Sequence, residues 1–324
     1  MKAVIPVAGI GKRLRPHTFT IPKALLNVAG KPILGHIVDG LLKMGVQELI
    51  PIIGYKGERI QRYLTSEYKV PIKFVVQEEQ RGIAHAVSLT RELADDSELI
   101  IILGDTIIKT DFEKIPKKGD YVLGVREVPD PQRFGICEVE GGMITNIVEK
   151  PDQPKGNLAL IGLYYFRDST PLYEACEKLI NKGIMTKGEY QITDALQIMI
   201  DGGTQFYPYR IDGWYDCGKV ETLLETNRVL LDGMEPRDGR EGSIIIHPCY
   251  LDKASVISNS IIGPYVSVAK DCEIRHSIIE NSILNEGSIL ENVILEGSVV
   301  GAYAEVAGNR SSFNVSDYSQ ISFR

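Results

Sequence analysis

The residues best suited to chemistry follow the first apolar run of the chain, in the segment GIGKRLRPHTFTIPK at positions 9–23. Its glycines allow backbone N–H groups to approach phosphate oxygens closely, and Arg13 and Lys23 add positive charge. This combination predicts a loop that binds a triphosphate. It is not a Walker A loop, because Arg13 stands where serine or threonine is required, and Leu14 replaces the third glycine of GxGxxG. A simple tight turn would also explain two glycines after a strand.

Two aspartates are candidate metal ligands. Asp105 directly follows the apolar run ELIIILG, and Asp216 lies in the segment GWYDCG. Two carboxylates, completed by phosphate oxygens and water, would form the octahedral oxygen site that Mg²⁺ prefers. A turn or helix-capping aspartate is the alternative interpretation of Asp105.

Opposite charges stand side by side at the end of a third strand-like run. Glu149 and Lys150 directly precede Pro151. A carboxylate accepts hydrogen bonds and an ammonium group donates them, so the pair offers both functions at one strand end. A surface ion pair is the alternative.

A glutamine and a glycine are candidates for contacting a base. Gln77 ends a strand-like run and offers both a donor and an acceptor, while Gly82 would permit a base to lie close to the backbone. His85 lies on the helical pattern IAHAVSLTREL. The sequence favours a packed histidine over a base-reading one.

The elements that position these residues alternate along the first half of the chain. Nearly continuous apolar runs at 2–7, 48–54, 72–77 and 98–104 predict parallel strands covered on both faces. Apolar residues at helical spacing between the first two runs predict a helix over 33–42, which Gly45 would end. The pattern predicts a doubly wound, mainly parallel α/β sheet, whose ligands bind beyond the carboxyl ends of the strands.

The segments that follow have different secondary-structure patterns. Residues 121–167 predict a β-rich excursion from the sheet, and residues 171–201 return to helical patterning. The polar segment DGMEPRDGREGS at 232–243 has the composition of a linker. We therefore predict two domains, 1–237 and 238–324.

After the linker, aliphatic residues recur every sixth position. Six-residue repeats with glycine and serine nearby predict a β-helix, in which each coil stacks its aliphatic side chains on the next. A β-sandwich would instead show alternation of period two. The repeating positions are Val256, Ile262, Val268 and Ile274, then after a step of four residues Ile278, Leu284 and Leu290, and after another step of four Ile294, Val300 and Val306.

The composition excludes several classes of protein. The net charge of −7 over 324 residues argues against a nucleic-acid partner, so an anionic ligand must be held by a local cluster of cations. Five scattered cysteines without CxxC spacing argue against a disulfide framework or a zinc site. No apolar run approaches the length of a membrane span. These features predict a cytoplasmic protein that is not embedded in a membrane.

The whole set of motifs resembles that of the sugar nucleotidyltransferases, the family of glucose 1-phosphate thymidylyltransferase, UDP-glucose pyrophosphorylase and mannose 1-phosphate guanylyltransferase. The resemblance covers about the first 230 residues in the expected order. Besides the loop it includes GKP (30–32), QEEQRGIAHAV (77–87), LGD (103–105), FGICEVE (134–140), VEKP (148–151), GLYYF (162–166), KGEYQITD (187–194) and GWYDCG (213–218).

The resemblance implies transfer of a nucleotide from dTTP or UTP to a sugar 1-phosphate with Mg²⁺ as cofactor, and a left-handed form for the β-helix. The exposed ends of a short stack of coils separately predict a homo-oligomer. The implied catalytic residues are Arg13, Lys23, Asp105 and Asp216, the two aspartates being the metal ligands. The implied nucleotide contacts are Ala8, Gly9, Gly11, Arg13, Gln77, Gly82 and Asp105. The implied sugar-phosphate contacts are Gly135, Glu149, Lys150, Gly162 and Lys187, although the family often has arginine at the last position.

Three other functions stay open on the sequence. The chain could be a guanylyltransferase of the GDP-mannose type, since the loop and the repeats mix features of several subgroups. It could be a non-catalytic regulatory homologue, which the intact charged residues argue against. It could also be a bifunctional enzyme whose β-helix is an acyltransferase, with His247 or His276 as the catalytic histidine.

Overall fold

The computed structural model describes residues 1–94, 97–235, 240 and 242–308. The chain divides into two compact units. The first consists of Met1–Leu26 and Lys31–Thr226, and the second of Asn27–Gly30 and Asn227–Arg324. The predicted domain boundary between residues 237 and 238 lies outside the described residues.

Thirteen strands and eight helices occupy the described residues before the linker. The strands are β1 (Lys2–Pro6), β2 (Asn27–Val28), β3 (Lys31–Pro32), β4 (Glu48–Ile53), β5 (Val75–Val76), β6 (Leu99–Ile102), β7 (Thr106–Lys109), β8 (Tyr121–Glu127), β9 (Gly135–Glu140), β10 (Met143–Glu149), β11 (Leu158–Phe166), β12 (Tyr207–Arg210) and β13 (Gly213–Asp216). The helices are α1 (Ile33–Lys43), α2 (Gly57–Glu67), α3 (Ile83–Ser88), α4 (Arg91–Ala94), α5 (Ile115–Lys118), α6 (Thr170–Asn181), α7 (Ile192–Asp201) and α8 (Val220–Leu231).

The described part of the first unit is built on a nine-stranded mixed sheet. Its main path runs β10-β9-β11-β6-β1-β4-β5, with β8 paired to β11 and β12 paired to β8. The predicted parallel part is confirmed, because β1 runs parallel to both β4 and β6, and β4 parallel to β5. The β-rich excursion extends this same sheet, because β11 pairs antiparallel with β6. The carboxyl ends of β1, β4, β5 and β6 therefore meet at one edge.

Burial explains why these runs form strands and why α1 forms where predicted. All four residues of β6 are fully buried, as expected for a strand covered on both faces. Helix α1 buries Ile33, Ile37 and Leu41 along one face. Its last turn ends before Gly45, whose φ of 92° is a left-handed conformation that glycine adopts without strain.

The second unit contains a stack of parallel strands within residues 242–308. The twelve strands form three four-stranded parallel sheets, as in a left-handed β-helix. The first sheet is β14 (Ile244–Ile245), β17 (Ile261–Ile262), β20 (Ile278–Glu280) and β23 (Ile294–Glu296). The second is β15 (Cys249–Leu251), β18 (Val266–Val268), β21 (Ile283–Leu284) and β24 (Val299–Val300). The third is β16 (Val256–Ser258), β19 (Glu273–Arg275), β22 (Ile289–Glu291) and β25 (Glu305–Ala307).

The phase of the repeat differs from the predicted one at three positions. Val256, Ile278 and Ile294 point outward and are 53%, 44% and 79% exposed, whereas their neighbours Ile257, Ile279 and Leu295 contribute to the core. The cause is the position of the short steps between buried residues. The predicted series has a four-residue step from Ile274 to Ile278, whereas the buried residues Ile274, Ile279 and Leu284 are separated by two steps of five. Ile262 pairs with Ile279 and Ile279 with Leu295, so successive coils are 17 and then 16 residues long.

A buried asparagine joins the short segment 27–30 to the rest of the second unit. Asn227 Oδ1 accepts hydrogen bonds from the backbone N–H of Ala29 at 2.8 Å and from Ser267 Oγ at 2.7 Å. Its Nδ2 donates to the carbonyl oxygen of Tyr265 at 3.2 Å. The side chain is fully buried and uses both its donor and its acceptor, so it fixes this segment within the unit.

The five cysteines are all free and buried, which agrees with the prediction of no disulfide framework. Burial raises the pKa of Cys137, Cys176 and Cys217 to about 12, so none of these three is a thiolate at neutral pH. No helix in the described part of the chain is both long and apolar enough to cross a bilayer.

Candidate active site

A cavity of about 320 Å³ opens at the sheet edge where β1 and β6 end. It brings together the glycine loop and both predicted metal ligands, which are far apart in sequence. It also contains three cations, of which Lys12 was not predicted as a site residue. The lining residues are Val7, Gly9, Gly11, Lys12, Arg13, Lys23, Ala24, Gly104, Asp105, Asp216 and Gly218.

The glycine loop is held in shape by the segment that follows it. Gly11 has a φ of 68°, and a Cβ there would lie 3.0 Å from Lys23 Cβ. Thr18 Oγ1 donates to the Gly11 carbonyl at 2.9 Å. Gly9 differs, because a Cβ at this position would meet no protein atom within 4 Å. Gly11 is therefore required by the fold of the loop, whereas the space beside Gly9 is open to a ligand.

The two aspartates are brought together by neighbouring strands. Strand β13 pairs with β7 so that Asp216 lies opposite Thr106, and the backbone N–H of Cys217 donates to the Asp105 carbonyl at 3.1 Å. Lys23 Nζ lies 3.1 Å from Asp105 Oδ2. Both aspartates line the same cavity, and their role as metal ligands stays a prediction.

The donor set fits a magnesium ion that a phosphate ligand helps to hold. Asp105 and Asp216 supply carboxylate oxygens, the ligand type that Mg²⁺ prefers. No group of three or more His, Cys, Asp or Glu side chains with metal-binding geometry occurs among the described residues. An ion at this position would therefore take its remaining ligands from phosphate oxygens and water.

A second group of polar residues surrounds Glu149. Glu149 ends β10 directly opposite Gly135, the first residue of β9. Thr193, near the start of α7, donates from Oγ1 to Glu149 Oε2 at 2.9 Å, and Lys150 Nζ lies 3.2 Å from Glu149 Oε1. The Glu149 side chain is only 9% exposed. A Cβ on Gly135 would lie 2.6 Å from Thr193 Cγ2, so this glycine lets β9 approach α7.

The central strand β11 connects the two groups of polar residues. Burial raises the pKa of Tyr164 on this strand, and the charges of the Glu149 and Asp105 carboxylates raise it further. Tyr164 lies on β11, which pairs with both β6 and β9, so the central strand places the Glu149 group beside the cavity.

Two predicted sugar contacts have clear structural surroundings. Gly162 has a φ of 77° and lies where the register of β11 shifts against β8. A Cβ there would lie 2.6 Å from the Leu103 side chain, and the Gly162 carbonyl accepts from Leu103 N at 2.9 Å. Lys187 is exposed and pairs with Asp152 at 3.1 Å. Gly162 thus supports the strand end that leads to Asp105, and contact of either residue with a sugar stays a prediction.

The candidate base contacts lie at the end of β5. Gln77 is buried and its backbone N–H donates to the Ile53 carbonyl at 2.8 Å. Gly82 has a φ of 114°, and a Cβ there would lie 2.4 Å from the Tyr190 carbonyl oxygen. The Tyr190 backbone is therefore one reason for a glycine at this position, and the contact of Gly82 with a base stays a prediction. The expected position of His85 on a helix is confirmed by α3.

Several residues that shape the site were not predicted as site residues. A Cβ on Gly104 would lie 2.2 Å from Val7 Cγ1, and one on Gly218 would lie 2.8 Å from Asp216 Oδ1. Thr193 contacts Glu149 because α7 packs there. These three residues lie in the motifs LGD, GWYDCG and KGEYQITD, and this membership was the available indication.

Comparison with known proteins agrees with this geometry. The model of the nucleotidyl transferase family matches residues 2–233. Glucose-1-phosphate thymidylyltransferase of Streptomyces griseus is 31% identical over 94% of this chain and 93% of its own length. The UTP–glucose-1-phosphate uridylyltransferase AglF of Haloferax volcanii is 38% identical over 71% of this chain and 96% of its own length.

A solved structure shares the fold. UDP-glucose pyrophosphorylase complexed with UDP-glucose aligns with a TM-score of 0.63 and 24% identity, covering 72% of this chain and 99% of that one. The family match covers most of the chain, and the loop, the paired aspartates and the Glu149 group all lie within it. The chain belongs to the nucleotidyltransferase family, among the enzymes that act on sugar phosphates.

Proposed function

We propose that this enzyme transfers a nucleoside monophosphate from dTTP or UTP to glucose 1-phosphate and releases pyrophosphate. The observation that carries the proposal is the shared cavity, in which Lys12, Arg13 and Lys23 face Asp105 and Asp216 beside an open glycine. Cations beside carboxylates suit a triphosphate bound with a divalent metal.

The proposed reaction is a single displacement at the α-phosphorus. A phosphate oxygen of the sugar 1-phosphate forms a new bond to that phosphorus, and the bond between the α-phosphorus and the bridging oxygen breaks. Pyrophosphate leaves with the electron pair. The nucleophile is already an anion, so no general base is needed, and the protein must chiefly bring two anions together and neutralise the charge that develops.

Different residues would bind the nucleotide phosphates, the magnesium ion and the sugar phosphate. Arg13 makes no ion pair with a described residue and lines the cavity, so its guanidinium is available for the phosphates of the nucleotide. Lys23 would bind the same phosphates while it contacts Asp105. A magnesium ion bound to Asp105 and Asp216 would supply a Lewis acid for the phosphate oxygens. Lys150 would bind the attacking phosphate and Glu149 the sugar hydroxyls.

The choice between dTTP and UTP follows the two relatives, which are named for different nucleotides. A panel of dTTP, UTP, GTP and CTP, each with glucose 1-phosphate or mannose 1-phosphate, would test the proposal by pyrophosphate release. We expect turnover with glucose 1-phosphate and one or both of dTTP and UTP. Preference for GTP with mannose 1-phosphate would instead support the guanylyltransferase alternative, and no turnover with any pair would support a regulatory homologue.

The acyltransferase alternative concerns the second unit. His276 is exposed at a corner between coils, and the Nδ1 atom of His247 is buried without a hydrogen-bond partner among the described residues. Neither observation by itself favours acyl transfer. Turnover of acetyl-CoA on an amino-sugar phosphate would reveal such an activity, and its loss in a His276→Ala variant would assign it.

We also propose that the second unit promotes self-association of the chain. The outward positions of its first sheet form a ladder of isoleucines, paired in register from coil to coil. The ladder consists of Ile244, Ile261, Ile278 and Ile294. Three of these side chains are 44% to 79% exposed, which is unusual for stacked aliphatic residues on a protein surface.

A chain ending near residue 238 would test this role. The truncation removes the isoleucine ladder and also Ser267 and Tyr265, the partners of Asn227. We expect the fragment to lose oligomeric order or thermal stability in light scattering and melting measurements. An unchanged mass and melting temperature would contradict the proposed role in assembly.

A further inference from the structure

The amide of Gln77 is oriented by two neighbours at the end of β5. Its Nε2 lies 3.4 Å from the Gly82 carbonyl oxygen and 3.4 Å from Nδ1 of His85. A backbone carbonyl can only accept a hydrogen bond, so the amide nitrogen must face it. The amide oxygen Oε1 consequently points away from both neighbours.

That oxygen is an unused acceptor. Gln77 is only 7% exposed, yet Oε1 has no hydrogen-bond partner among the described residues and is not fully shielded from solvent. An almost buried acceptor without a partner is costly, and a donor from a ligand would remove that cost.

The position of Gln77 suits the base of a bound nucleotide. Strand β5 is two strands away from β1 in the sheet, which corresponds to about 10 Å at the usual spacing between strands. Gln80 Nε2 donates to the Ala8 carbonyl at 2.8 Å and so ties the segment after Gln77 to the start of the glycine loop. Gln77 therefore lies at the same sheet edge as the loop, about the length of a nucleoside from it.

We propose that His85 is a positioning residue that selects the base, because it holds the Gln77 amide with its oxygen toward the nucleotide. This inference rests on the proposed function. Uracil and thymine carry an N3–H donor that Oε1 would accept, whereas N3 of cytosine is an acceptor and would face Oε1 without a hydrogen between them. The geometry therefore selects a base with an imide N–H and rejects cytosine.

The role requires that His85 be neutral, with Nδ1 as acceptor and the proton on Nε2. Burial lowers the pKa of His85, the charge of Arg81 lowers it further, and Glu79 partly opposes this. Arg81 is held in place, since it lies 5.1 Å from the centre of the Tyr190 ring and donates to the Tyr190 hydroxyl at 3.2 Å. His85 is thus neutral at pH 7, and protonation would turn Nδ1 into a donor that opposes the amide nitrogen.

The test compares UTP with CTP, and dTTP with dCTP, in both equilibrium binding and turnover with glucose 1-phosphate. His85→Ala should raise the Kd and KM for UTP or dTTP about 3- to 10-fold, as expected for losing one neutral hydrogen bond, with kcat within about twofold. His85→Lys offers only donors and should lower the preference for UTP over CTP further. His85→Gln offers an acceptor oxygen and should keep the preference of the wild type.

A pH series gives a second readout. In the wild type, KM for UTP should rise as the pH falls through the lowered pKa of His85, while His85→Ala should show a flat profile in that range. Equal UTP-to-CTP binding ratios in wild type, His85→Ala and His85→Gln, with unchanged melting temperatures, would overturn the inference even if His85→Lys failed to fold. Selective binding of UTP without any turnover would instead refute the proposed function and leave the inference standing.

Discussion

In the second unit each coil repeats the contacts of the coil before it, whereas in the first unit the residues of the candidate site come from separate strands, loops and helices. Ile262, Ile279 and Leu295 occupy equivalent places in successive coils. Asp105, Asp216 and Glu149 have no equivalents. A change in the repeats should therefore be shared among similar contacts, while a change in the site should remove a function that nothing else supplies.

The largest effect is expected from the paired aspartates. Asp105→Asn or Asp216→Asn removes the charge of a predicted magnesium ligand, so turnover at limiting Mg²⁺ should fall by on the order of 100-fold or more. Circular dichroism should show an intact fold. Asp212→Asn is the matched control, because Asp212 is exposed just before β13. Near-normal turnover in both site variants would refute the two-carboxylate site.

The next largest effects on the kinetic constants should distinguish the residue assigned to the triphosphate from the residue assigned to the sugar phosphate. Arg13→Ala should reduce kcat by about 10- to 100-fold, because Arg13 is assigned to the transferring triphosphate. Lys150→Ala should instead raise KM for the sugar phosphate about 10-fold. Arg15→Ala is a control for Arg13, since the Arg15 guanidinium stacks on Phe19, 4.9 Å from the ring centre. If Lys150→Ala changed only the constant for the triphosphate, the two roles would be misassigned.

Replacing two glycines of the site by alanine should affect different properties, activity in one case and stability in the other. Gly9→Ala adds a methyl group where no protein atom lies within 4 Å, so the melting temperature should hold while activity falls about 10-fold. Gly104→Ala places a methyl group 2.2 Å from Val7 Cγ1 and should cost about 1–3 kcal/mol of stability. Full activity in Gly9→Ala would show that the phosphates do not approach this backbone.

The smallest effect on turnover is expected in the repeats. Ile279→Ala creates a cavity in the second unit and should cost about 2–5 kcal/mol of stability while kcat is retained. Ile278→Ser, one position earlier and facing outward, should leave the melting temperature of the monomer nearly unchanged and weaken self-association. Calorimetry and light scattering on the two variants would check both statements. Equal destabilisation by the two variants would contradict the observed phase of the coils.

The sequence predicted the types of secondary structure more accurately than the phase of the repeats. Continuous apolar runs identified β1, β4 and β6, because a strand buried on both faces leaves a pattern within its own residues. The period of six identified the β-helix, but the predicted steps of six and four stand where the coils take steps of five, and this shifts the phase by a single residue.

The sequence predicted residues of the site only where they lie in a recognisable motif. Asp105 directly follows a buried strand, so the sequence alone predicted that it lies at the edge of the sheet where ligands bind. Thr193 reaches Glu149 through the packing of α7, and such a contact between distant segments leaves no local pattern. Gly82 shows the same limit, since the Tyr190 backbone that requires a glycine there is more than a hundred residues away.

In the proposed function, one cavity cleaves the triphosphate between its α- and β-phosphates and joins the nucleotide to the sugar phosphate. Isotopic phosphorus in UTP or dTTP can be followed through a reaction with glucose 1-phosphate. Label at the α-position should appear in the nucleotide sugar, and label at the γ-position should appear in pyrophosphate. Label from the γ-position in the sugar product, or no transfer of the α-label from either nucleotide, would contradict the proposed function.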